Sequence, residues 1–141
     1  MQKKVIGGVD KVDLPHFNLY DIEAKIDTGA NRSAIHCRDI VIIENNDSME
    51  LSFHIPLDNS KGDNVFQTQD FFEKKIRSSN GHSEKRYIIK TTVILFGRKI
   101  QTSFSLTDRT EMNYPILLGR KLLQSRFIVD VEEENLSFKA K

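Results

Sequence analysis

The segment Ala24-Lys25-Ile26-Asp27-Thr28-Gly29-Ala30-Asn31-Arg32-Ser33-Ala34-Ile35 sets a single carboxylate between two largely apolar runs. A strand-like stretch leads into Asp27, and small and apolar residues lead away from it. Gly29 lets the backbone approach closely or take a positive φ. Thr28 is β-branched and stiff, so its hydroxyl can be held in one direction. A carboxylate fixed at such a turn, within reach of a substrate, can give and take protons. The same residues also suit a plain Asx turn that only ends a strand, so this segment alone does not decide.

The elements that must position Asp27 read mostly as short strands divided by turn signals. Strands are expected over Lys4–Ile6, ended by Gly7-Gly8, over 22–26 before the Asp27 turn, and over Ser33–His36 after it. Residues 40–43 are apolar and β-branched throughout, which predicts a strand buried on both faces. Asn45-Asn46-Asp47 predicts a turn, and 50–56 alternates Leu51, Phe53 and Ile55 with polar neighbours. Residues 58–70 are polar and turn-rich, the pattern of a mobile surface loop. Strand-like runs on either side of Asn80-Gly81, Phe71–Arg77 and 86–96, carry the strongest short hairpin signal. Gly97-Arg98 then turns the chain into 100–106. Later, Tyr114-Pro115-Ile116-Leu117-Leu118-Gly119-Arg120 is an apolar strand that opens a short helix over 120–125. Strands over 127–131 and 136–138 flank the acidic turn Glu132-Glu133-Glu134-Asn135. The class is all-β.

Composition limits what such a fold can do. The length, 141 residues, fits one domain spanning 1–141 with a real core. Lys and Arg total 21 against 20 acidic residues, which gives no electrostatic reason for a nucleic-acid or membrane partner. Cys37 stands alone, so no intrachain disulfide forms, and this fits a reducing compartment. The basic N-terminus is followed by no long apolar segment, so neither a signal peptide nor a bilayer span is expected, and a cytoplasmic location is the default. His16, His36, His54 and His82 are scattered without metal-ligand spacing. No Gly-rich phosphate loop is present. The expectation is therefore no cofactor and no metal, with Cys37 a small buried residue rather than a nucleophile.

Asp27-Thr28-Gly29-Ala30, the Asn80-Gly81 hairpin and Ile116-Leu117-Leu118-Gly119-Arg120, in that order, resemble the retropepsin group of aspartic proteases. With Arg77-Ser78-Ser79-Asn80-Gly81-His82 and Leu106-Thr107-Asp108-Arg109 added, the chain is similar, over about 22–130, to a bacterial retropepsin-like family. That family is commonly labelled ATP-dependent zinc protease and is often found near ATP-grasp glutamate ligases related to RimK. The resemblance implies a closed acid-protease barrel with one short C-terminal helix. It implies catalytic roles for Asp27, Thr28 and Gly29, and substrate contacts from Ala30 and from Ser79, Asn80, Gly81 and His82 in a flap. Leu118, Gly119 and Arg120 would support the site.

Only one Asp-Thr-Gly is present, so the resemblance implies a homodimer in which the second carboxylate is Asp27 of another copy about a twofold axis. The pair would share one proton and activate water without metal. Asn31 stands where retroviral relatives carry an aspartate that pairs with the arginine of the Gly-Arg segment. Arg120 must therefore find another partner, such as Asp130 or a backbone carbonyl. The polar flap tip points to a polar or charged peptide, including acidic or glutamylated protein. Lys74, Lys75, Arg77, Lys85 and Arg86 either recognise such a chain or form a solvated hairpin. Two other function classes fit the same residues: a non-catalytic binding module for acidic or glutamylated protein, and a zinc-dependent hydrolase as the label suggests.

Overall fold

Backbone pairing follows the alternation of apolar and polar residues along most of the chain. A computed structural model describes residues 2–57, 64–77, 81–108 and 113–141. Its strands are β1 (Lys4–Ile6), β2 (Val9–Leu14), β3 (Leu19–Ile26), β4 (Ser33–His36), β5 (Arg38–Asn45), β6 (Ser48–His54), β7 (Val65–Thr68), β8 (Phe71–Arg77), β9 (Ser83–Leu95), β10 (Arg98–Thr107), β11 (Ile116–Leu118) and β12 (Phe127–Val129). A 3-10 turn occupies Pro15–Phe17, and two short helices follow late in the chain, α1 (Arg120–Leu123) and α2 (Leu136–Lys139).

Six strands close on themselves in the order β10-β4-β11-β3-β2-β9, with β9 pairing back to β10. This closed barrel is the expected retropepsin-like class. Closure removes the unpaired edges that an open sheet would present. Strand β8 adds to β9 as the second arm of a hairpin, in register from Phe71↔Ile89 to Arg77↔Ser83. Strands β5, β6 and β7 make a separate antiparallel sheet, and β1 pairs in parallel with β12. Val12, Leu14, Ala24, Ile35, Ile89, Phe104 and Leu118 are fully buried and fill the barrel. The separate sheet adds Leu51 and Phe53 to the same core, and Phe53 meets Phe17 edge-on with ring centroids 5.7 Å apart.

Four elements differ from the expectation. Strand β2 has no counterpart in the sequence reading, because Asp10, Lys11 and Asp13 interrupt its apolar pattern. The structure buries both aspartates with partners. Asp10 accepts the N–H groups of Ser137 and Phe138 at 2.9 and 3.1 Å, and Asp13 accepts the N–H of Asp21 at 2.8 Å. Strand β5 is not buried on both faces: it is an edge of the three-stranded sheet, and Val41 is 52% exposed. Within the expected surface loop, Val65–Thr68 is strand β7, while 58–63 lie outside the described residues. Residues 136–138 belong to helix α2 rather than to a strand, so a second short helix joins the expected one. The Asp10 carboxylate explains the helix, since it satisfies two N–H groups that the first turn of a helix leaves free.

Asp10→Ala is expected to lower unfolding free energy by about 1–3 kcal/mol, because it strands these buried N–H groups. Urea titration followed by circular dichroism measures the loss.

Candidate active site

Strands β3 and β4 are not neighbours in the barrel; β11 runs between them, parallel to β3 and antiparallel to β4. The chain leaving β3 must therefore cross the end of β11 to reach β4, and residues 27–32 make that crossing. Hydrogen bonds fasten it on both sides. Asp27 donates its N–H to Leu118 O at 2.9 Å, Arg120 N–H bonds Ala30 O at 2.8 Å, and Lys121 N–H bonds Asn31 O at 2.9 Å. Gly119 N–H is buried and donates to Ser33 Oγ at 3.0 Å.

The crossing is so close that Gly119 has no room for a side chain. An added Cβ would lie 2.7 Å from the carbonyl carbon of Arg32 and 2.9 Å from Ala30 O. Gly119 itself has ordinary extended backbone, φ −98° and ψ −179°, so space rather than conformation demands glycine here. Gly29 is also a matter of approach and not of positive φ. Its N–H donates to Asp27 Oδ1 at 3.0 Å, and a Cβ there would stand 3.3 Å from the same oxygen. The Asx turn is thus present and fixes one oxygen of the carboxylate. Asp27 Oδ2 bonds no described residue. The turn leaves the Asp27 carboxylate half-buried beside the exposed Thr28-Gly29 crest.

Arg120 has found its partner: Nη1 donates to Thr28 O at 2.9 Å. A backbone carbonyl replaces the aspartate that Asn31 does not supply, and the guanidinium braces the turn from below. Leu118 is fully buried at the end of β11. Thr28 and Gly29 form the exposed crest of the turn, with Asp27 and Ala30 half-buried beside them. Gly81 takes φ +85° next to the hairpin tip and His82 is exposed. Ser79 and Asn80 lie outside the described residues.

The sequence reading did not single out Ser33, Arg32 or Phe72. Ser33 could have been suspected as the first polar residue after the turn with an apolar run behind it. Arg32 is half-buried beside the crossing, and its guanidinium carbon lies 5.8 Å from the ring centroid of Phe72 in β8. Its Nε is buried and has no hydrogen-bond partner among the described residues.

Two open grooves lie away from Asp27. One, about 720 Å³, runs between Phe17, Gln67, Thr68 and strands β9 and β10. The other, about 1010 Å³, includes Tyr20, His36, Arg38, His54 and Tyr114. Neither has Asp27 on its wall. Among the described residues no three His, Cys, Asp or Glu side chains converge as a metal site requires. His36 Nδ1 lies 3.3 Å from Thr107 O, and the described residues do not fit the zinc that the family label implies. No helix among the described residues is long and apolar enough to cross a membrane.

The sequence profile of the retropepsin-like aspartic endopeptidase RimB matches residues 5–140. The chain belongs to the RimB-like family. The chain is 30% identical over 133 residues to a probable alpha-L-glutamate ligase of Parasynechococcus marenigrum, covering 93% of this chain and 28% of that protein. A probable alpha-L-glutamate ligase of Shewanella pealeana is 32% identical, again over 93% of this chain and 29% of its own length. This chain therefore spans under a third of those relatives. A protein of unknown function from Legionella pneumophila, Lpg0085, shares the fold with a TM-score of 0.78 and 27% identity, over 96% of this chain and 99% of its own. RimB-like membership agrees with the family resemblance drawn from the motifs.

Cys37 has no exposed surface, and burial, with the Asp108 charge as a smaller cause, pushes its thiol far above its ordinary value of 9.0. The folded state holds this proton where the unfolded state releases it, so stability falls as pH rises from about 9.0. Native protein at pH 8 is expected to resist iodoacetamide and to react once unfolded, as read by mass spectrometry. Ser33→Ala leaves the buried Gly119 N–H unpaired and is expected to cost about 1–3 kcal/mol in urea unfolding.

Proposed function

We propose that this chain is an aspartic peptidase that works as a homodimer, with Asp27 of each copy supplying half of the reacting pair. The observation that carries this reading is the Asp27 turn itself. One carboxylate oxygen is pinned by Gly29, the other is free of described partners, and the crest at Thr28-Gly29 is exposed. With one Asp-Thr-Gly in the chain, a second copy about a twofold axis supplies the missing carboxylate and covers the open surface.

In the pair, one carboxylate is ionised and the other protonated, because like charges at such short range cannot both ionise. The ionised group takes a proton from water as the water oxygen attacks the peptide carbonyl carbon. The protonated group gives its proton to the carbonyl oxygen. The tetrahedral intermediate then collapses, its C–N bond breaks and the leaving amine takes up a proton. The substrate class this reading favours is acidic or glutamylated protein, and the cations on the β8–β9 hairpin support it.

A second reading keeps the fold without the reaction: a module that binds acidic or glutamylated protein and does not cut it. The similarity to under a third of two probable glutamate ligases favours it, since a binding segment suits an enzyme that handles glutamate.

Asp27→Asn is expected to lower the hydrolysis rate by on the order of 10²–10⁴ while leaving the circular dichroism spectrum and melting temperature near the parent values. Retained hydrolysis contradicts the peptidase reading. Sedimentation velocity over a concentration series, with and without peptide, is expected to show a dimer; a monomer under all these conditions favours the binding module.

A further inference from the structure

Arg32 is a cation without a counter-ion among the described residues, and it stands between the Asp27 turn and the hairpin. Its main chain lies against Gly119, the residue after Leu118, to which Asp27 is bonded. Its guanidinium lies over Phe72, on the first arm of the hairpin. A guanidinium carries five N–H donors in a plane. Contact with an aromatic face uses the charge weakly and leaves in-plane donors for an acceptor. None of the described carboxylates forms an ion pair with Arg32, and its Nε is an unsatisfied buried donor.

The hairpin face that meets Arg32 is also cationic. Residues two apart on a strand share a face, and direct cross-strand partners share it too. Phe72 pairs with Ile88 and Lys74 pairs with Arg86, so Lys74 and Arg86 lie on the same face as Phe72. Glu73 and Lys85 belong to the opposite face, where Lys85 neutralises Glu73 at 3.6 Å. On the Phe72 face, within the paired stretch from Phe71 to Arg77, the described carboxylate is Glu84, which lies toward the tip and 3.5 Å from Arg86. Glu84 pairs with Arg86, and Arg32 and Lys74 have no described carboxylate as ion-pair partner.

We propose that Arg32 is a specificity-determining residue: it receives a glutamate or aspartate side chain of an extended peptide held between the Asp27 turn and the hairpin. Lys74 and Arg86 line the path outward and favour further acidic residues along the chain. A carboxylate meets the planar fork bidentately, which selects both charge and geometry. This rests on the Asp27 turn being the reaction centre, but its test does not require hydrolysis.

The full chain carrying Asp27→Asn is titrated, at physiological salt, with a fluorescein-labelled ten-residue peptide of alternating Glu and Ala, and separately with its Gln counterpart. Fluorescence anisotropy is expected to show the Glu peptide binding at least about tenfold tighter. Adding Arg32→Gln should cut this preference to less than half and leave the Gln peptide's affinity unchanged. Arg32→Lys should restore part of it, and Arg32→Glu should shift preference to a Lys-containing peptide. Equal binding of both peptides by the parent, a preference undiminished by Arg32→Gln, or equal loss of both peptides at an unchanged melting temperature overturns the proposal. Hydrolysis that survives Asp27→Asn overturns the peptidase reading instead and leaves the binding comparison intact, so the two claims fail separately.

Discussion

The passage of residues 27–32 over the end of β11 governs everything near the site. Because β11 separates β3 from β4, the connecting chain has to climb over the point where Leu118 hands on to Gly119. Three backbone hydrogen bonds and the buried Ser33 hydroxyl clamp the two segments together, and the Arg120 guanidinium adds a bond to Thr28 O. A rigid crossing costs its chain entropy at folding and not when a ligand arrives. The same geometry leaves the Thr28-Gly29 crest exposed, with Asp27 half-buried beside it.

The two large grooves and the carboxylate are in different places, for Asp27 lines neither of them. In the homodimer proposed above, a second copy about a twofold axis would cover the exposed crest at Thr28-Gly29. The first arm of the β8–β9 hairpin reaches Arg32 through Phe72, so the crossing and the hairpin are in contact within one chain.

Much of this was legible in the sequence because local patterns and global fold agree. Ser33–His36, Phe71–Arg77 and the helix opening at Arg120 declare themselves by alternation, by flanking turn residues and by Gly before a helix. Asp27 and Gly119 are 92 residues apart in sequence, yet each reads locally as an apolar run ended by a special residue. What stayed hidden depends on tertiary partners. Strand β2 looks like a loop until Asp10 is seen capping α2 and Asp13 bonding Asp21. Helix α2 looks like a strand for the same reason, because its start depends on a carboxylate 127 residues earlier. Strand β5 is apolar enough for an interior position but lies at the edge of a small sheet. Arg32 offered no signal at all: an arginine between Asn31 and Ser33 is ordinary until its guanidinium is found against the flap.

The central claim is that two Asp27 turns meet. A crystal structure of the protein with a peptide whose scissile amide is replaced by a non-cleavable hydroxyethylene measures this directly, as the separation of the two Asp27 carboxylates. Facing carboxylates about 3 Å apart across a twofold axis, with the hydroxyl between them, are expected. An inhibitor bound to a single chain, or a dimer with its two Asp27 turns on remote surfaces, would contradict the claim.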